Sequence, residues 1–174
     1  MRLLFLGDSL IEYFYWQERF PKHNVANLGI AGESVEGLLS RVVRIKQDCP
    51  EADMIFIMSG INNVAMGDTE FIDFYRIILE KLSAAYPDAK IFINSLLPVL
   101  ADFISNESVC HVNASLKKLA QDVRTEYLDI YSRFVDTKGR PVREYLLADG
   151  VHLSRTGYDV WSTVVEQLIH KRGD

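Results

Sequence analysis

Short apolar runs alternate along this chain with longer amphipathic stretches. Leu3 to Leu6 is apolar at successive positions, as a strand covered on both faces requires. Asp53 to Met58 and Lys90 to Asn94 read the same way, and Val25 to Gly29 and Tyr127 to Ile130 read as shorter strands. Between them the period changes to that of a helix. Ser9 to about Phe20 predicts a first helix closed by Pro21. Ser34 to Ile45 follows, with Leu38, Leu39, Val42, Val43 and Ile45 forming one buried stripe and Pro50 beyond it. Phe71 to Tyr86, Val109 to Arg124 and Ser154 to about Lys171 complete the helices.

This alternation predicts an α/β sandwich with a mostly parallel sheet and right-handed crossovers. A length of 174 residues suits a single domain, 1–174, and no internal repeat or linker interrupts it. Leu97 to Ser108 has no clear period and reads as a flexible loop or flap, whose apolar residues could instead serve a homodimer interface. Hydrophobic residues make up 48% and charged residues 25%, as in ordinary globular proteins. A formal net charge of -5 without a long basic run argues against a nucleic-acid partner. No apolar stretch reaches membrane-spanning length. The first strand follows Met1 and Arg2 at once, so no signal peptide is visible and a cytoplasmic protein is expected. Cys49 and Cys110 are too few for a disulfide framework or a thiolate metal site and read as unpaired thiols.

In a doubly wound sheet, ligands gather outside the carboxyl ends of the strands where strand order reverses. Those ends carry Gly7-Asp8-Ser9, Gly29-Ile30-Ala31-Gly32 and Ser59-Gly60-Ile61-Asn62-Asn63. Ser9 closes a buried strand and opens a helix, a place for a nucleophile and equally for a helix cap. Asp149-Gly150-Val151-His152 precedes the last helix. On one turn the Asp149 carboxylate can fix the His152 tautomer, leaving the other ring nitrogen to take a proton from a serine. An oxyanion needs preorganised donors, and the candidates are the backbone N–H of Ser9, the backbone N–H of Gly32 and the side-chain amide of Asn62. Singly, each also reads as an ordinary turn or cap residue. Tyr13 and Trp16 follow Ser9 by helical spacing and either line a substrate pocket or pack on the sheet.

Together these blocks resemble the SGNH hydrolases, the GDSL esterases and lipases. Gly7-Asp8-Ser9-Leu10 is similar to the first block, and Asn27 to Ser34, with Gly32 as oxyanion glycine, to the second. Gly60-Ile61-Asn62-Asn63 is similar to the third and Asp149 to Ser154 to the last. Asn63 stands where the family often has Asp. The Gly-x-Ser-x-Gly elbow of the α/β-hydrolases is absent. The resemblance implies a flavodoxin-like three-layer α/β/α sandwich with five parallel strands. It implies a serine esterase with Ser9, Asp149 and His152 as triad, without cofactor or metal, acting on a small ester. A short-chain or carbohydrate O-acetyl ester is the expected substrate. A lysophospholipid or thioester, or acyl transfer to an alcohol, is the alternative.

Overall fold

The computed structural model describes residues 1–173; Asp174, the last residue of the expected 1–174 domain, lies outside the described residues. Five strands form one sheet: β1 (Arg2–Gly7), β2 (Asn24–Gly29), β3 (Met54–Met58), β4 (Lys90–Asn94) and β5 (Glu126–Leu128). All pair in parallel in the order β2-β1-β3-β4-β5, so chain order reverses between β1 and β3. β1 and β3 are buried along nearly their whole length, as continuous apolar runs demand of a sheet covered on both faces.

The register aligns one phenylalanine from each central strand. Phe5 pairs with Phe56, and Phe56 with Phe92. Their rings stack at 4.9 and 5.0 Å between centroids. Trp16 extends the stack from Phe5 at 4.0 Å. Among the described residues, seven α-helices accompany the sheet: α1 (Ser9–Glu12), α2 (Trp16–Arg19), α3 (Val35–Asp48), α4 (Ile61–Ala65), α5 (Ile72–Ala85), α6 (Asn106–Asp122) and α7 (Arg155–Gly173). α5 packs against α3 and α6. The Trp16 and Trp161 rings join α2 to α7 edge to face at 5.0 Å. The Trp161 indole N–H donates to Asn94 Oδ1 at the end of β4.

Several expectations are corrected. The helix expected over Ser9 to Phe20 is two single turns, broken at Tyr13-Phe14-Tyr15. The break turns Trp16 away from Tyr13, so Trp16 lines no substrate pocket. It is fully buried against Phe5, Phe20 and Trp161, and its Nε1–H donates to Ile11 O. α4 follows β3 without having been read from the pattern. α6 starts at Asn106 rather than Val109, because Ser105 caps it by accepting from Ser108 N.

The stretch Leu97 to Ser108 is no free flap. Asn106 holds the N–H and C=O of Val99, Asn113 holds those of Leu96, and Leu100 N donates to Gly150 O. Leu97, Val99 and Ile104 are buried, and Phe103 alone of its large apolar residues is exposed. No described helix is long and apolar enough to cross a membrane.

Candidate active site

The site is built where β1 ends. Gly7 sits so close to β3 that a Cβ there would fall 1.8 Å from Met58 O. That approach needs glycine and lets the chain turn directly into Asp8-Ser9. Asp8 caps α1, its Oδ1 accepting from Leu10 N at 3.0 Å. Ser9, 7% exposed, is thereby fixed at the first position of the turn.

The other half of the site comes from the loop before α7. Asp149 Oδ1 accepts from the backbone N–H of both Val151 and His152, which folds the loop back on itself. Asp149 Oδ2 lies 2.7 Å from His152 Nδ1, and His152 Nε2 lies 2.9 Å from Ser9 Oγ. A carboxylate only accepts, so Nδ1 carries the proton and Nε2 is free to accept from the serine hydroxyl. Burial pushes the Asp149 carboxyl up, but the Val151 N–H and the His152 ring and N–H outweigh it and hold it below its ordinary range. The Tyr13 ring stands 5.4 Å from the imidazole and is exposed.

A third group of residues forms the side of the crevice beyond β2 and β3. Ile30 N donates to Gly7 O and Ala31 N to Glu12 Oε2, which holds the second loop against the first. Gly32 follows with φ +76°, a left-handed conformation that disfavours any side chain. Asn62, in the first turn of α4, donates through Nδ2 to Glu33 O at 2.9 Å. One hydrogen of that amide is so engaged, and a second remains. The N–H groups of Ser9 and Gly32 have no acceptor among the described residues. The structure thus gathers Ser9, His152 and Asp149 into one hydrogen-bonded chain, with Gly32 on the adjoining loop and Asn62 in the first turn of α4.

A family model, the GDSL-like Lipase/Acylhydrolase family, matches residues 5–160. The chain belongs to this family. It is therefore a GDSL acylhydrolase, an ester hydrolase of the SGNH type. Platelet-activating factor acetylhydrolase IB subunit alpha1 of Bos taurus is 26% identical over 162 residues, covering 90% of this chain and 69% of that protein. The alpha2 subunit of Rattus norvegicus is 27% identical over 173 residues, 96% of this chain and 75% of that one. Among solved structures, a lipolytic protein of the G-D-S-L family from Veillonella parvula superposes with a TM-score of 0.80 at 19% identity, covering 96% of this chain and 97% of that one. A GDSL-like lipase from Bacteroides thetaiotaomicron gives 0.77 at 20%, covering 98% and 88%. At those identities the superposition speaks for the fold, and the fold agrees.

Three parts of this acylhydrolase's site were not read from its sequence. Glu12, three residues after Ser9, holds the second loop through Ala31. Arg41 grips the Glu33 carboxylate with two bonds of 2.5 and 2.6 Å and also reaches Leu28 O, pinning the start of α3 to the end of β2. Asp8 is completely buried, and its Oδ2 has no partner among the described residues. A sequence offers no sign of the last two, because each depends on which backbone arrives next to the side chain.

Proposed function

We propose that this GDSL acylhydrolase is a serine esterase acting through a covalent acyl-enzyme, with Ser9 as nucleophile, His152 as general base and Asp149 as its orienting carboxylate. The chain of hydrogen bonds from Asp149 through His152 to Ser9 carries the reading. His152 Nε2 takes the Ser9 proton as Oγ attacks the ester carbonyl. The negative charge on the carbonyl oxygen meets the Ser9 N–H, the Gly32 N–H and the second hydrogen of the Asn62 amide. His152 then gives its proton to the departing alcohol. Water enters on the same base, attacks the acyl-serine carbonyl and restores the free serine.

For the substrate we favour a short-chain ester, an O-acetyl ester of a sugar or other small alcohol. Two observations support this. The relatives at 26–27% identity are named acetylhydrolases. The exposed Tyr13 ring beside His152 offers a flat wall for a small group or a sugar rather than a long tunnel.

The test is hydrolysis of p-nitrophenyl esters from acetyl to long acyl by wild type, Ser9→Ala and Asn62→Ala. Ser9→Ala is expected to abolish turnover. Asn62→Ala is expected to lower kcat by about 10²- to 10³-fold, the usual effect of losing one oxyanion donor. Turnover greatest on acetyl supports the short-chain reading, and turnover rising with chain length replaces it with a lipid or thioester substrate. Full activity in Ser9→Ala rejects the mechanism.

A further inference from the structure

Asn63 follows the oxyanion candidate Asn62, is 1% exposed, and touches no reacting group. It nevertheless makes three side-chain hydrogen bonds. Its Oδ1 accepts from Val35 N at 2.9 Å, at the first residue of α3. Its Nδ2 donates one hydrogen to Glu36 Oε2 at 3.0 Å and the other to Asp68 Oδ2 at 2.9 Å. Asp68 N in turn donates to the Asn63 carbonyl at 2.9 Å. The bridge holds both carboxyls below their ordinary range, the Asn63 amide being the first cause in each case.

The two segments joined here carry the donor candidates Gly32 and Asn62. Gly32 stands three residues before Val35, and Asn62 is the neighbour of Asn63 in α4. Asn62 reaches back to Glu33 O, so α4 is tied to the loop before α3 as well as to the first turn of α3. We propose that Asn63 is a positioning residue for the oxyanion donors, and that the bridge between Glu36 and Asp68 requires an amide at this position. An Asp here, as the family often has, carries no hydrogen when ionised and meets two carboxylates. Protonated, it supplies one hydrogen. Glu36 on α3 and Asp68 on the turn after α4 are the only charged side chains hydrogen-bonded to Asn63 among the described residues. This chain's departure from the family pattern is thus matched by the two acids around it. The proposal rests on the oxyanion reading above.

The experiment measures kcat and KM for p-nitrophenyl acetate against pH, with the melting temperature, for wild type, Asn63→Asp and Asn63→Asp/Glu36→Gln. At about pH 8, Asn63→Asp is expected to lose about 10- to 100-fold in kcat, short of the loss of a whole oxyanion donor, with KM within about 2-fold. Burial and the neighbouring Glu36 and Asp68 carboxylates raise the new carboxyl, so the deficit relative to wild type should shrink as the pH falls towards about 5 and it gains its proton. Glu36→Gln should restore part of kcat at the higher pH, since the new amide donates to the new carboxylate. A wild-type kcat in Asn63→Asp overturns the proposal. So does a deficit independent of pH that tracks the unfolded fraction, which a purely structural role would give. Should Asn63→Asp not fold, Glu36→Ala/Asp68→Ala removes the bridge from the other side. A lowered kcat then supports the proposal, and an unchanged one overturns it. Activity surviving in Ser9→Ala is the separate result that removes the underlying site reading.

Discussion

Asp8 is a carboxyl whose surroundings oppose its charge. It sits between the end of β1 and the nucleophile, with no exposed surface. Burial pushes its carboxyl up to about 7, against the Leu10 N–H and the nearby His152, which pull it down. The unfolded chain ionises this group near its ordinary 3.8, while the folded chain holds the proton until about 7. A carboxyl with a raised folded pKa favours folding while it is protonated. Stability is therefore lost as pH climbs from about 4 to about 7, and the loss is complete above that. Asp8→Asn keeps the cap acceptor for Leu10 N and removes the charge. In urea titrations it should be more stable than wild type at about pH 8, by an amount on the order of 2–4 kcal/mol, and the gap should close near pH 4. A gap that is the same at both pH values would show that Asp8 does not bury its charge.

At the scale of elements, the broken first helix decides which aromatic does what. The Nε1–H of Trp16 caps Ile11 O, and the Asn27 amide donates to the carbonyls of Ile11, Glu12 and Phe14, satisfying backbone that a continuous helix would have used itself. The turn leaves Tyr13 at the mouth of the site and drives Trp16 into the core. Trp16→Ala should destabilise the fold by about 3–5 kcal/mol, as large-to-small core changes do, with KM of the remaining folded enzyme unchanged. Tyr13→Ala should do the reverse, leaving the melting curve in place and raising KM for aryl and sugar esters. Calorimetry and steady-state kinetics on the two variants separate these roles, and exchanged outcomes would return Trp16 to the site.

For the whole molecule, the two halves of the site come from opposite ends of the chain, Ser9 and His152 lying 143 positions apart. They meet because β1 lies inside the sheet and because α7 is anchored to the two short helices that follow β1. Tyr158 donates to Leu10 O, Trp161 contacts Trp16, and Arg19 pairs with Glu166 through two bonds of 3.0 and 2.7 Å. Sequence ends so interlocked cannot separate without opening the core around Phe5. Ester hydrolysis and far-ultraviolet circular dichroism should therefore disappear at the same urea concentration, as one cooperative transition. Activity lost well before helix content would mean that α7 and its histidine detach on their own.

The parallel sheet, its strands and the longer helices were legible because two periods, that of a buried strand and that of an amphipathic helix, are local properties of the chain. Ser9, Gly32, Asn62, Asp149 and His152 were legible as candidates because their blocks fall at strand ends and turns, where composition is distinctive. The break after Glu12 was not, because both halves have helical spacing and only the fit of Trp16 beneath Phe5 and Trp161 selects the turn. Nor was the firm seat of Leu97 to Ile104, which depends on Asn106 and Asn113 reaching backbone from α6. The bridge at Asn63 and the buried carboxyl of Asp8 belong to the same class. Hydrogen-bond partners and burial are set by what the fold brings alongside, so tertiary structure alone decided them, while the periodic pattern had already determined the sheet on which they meet.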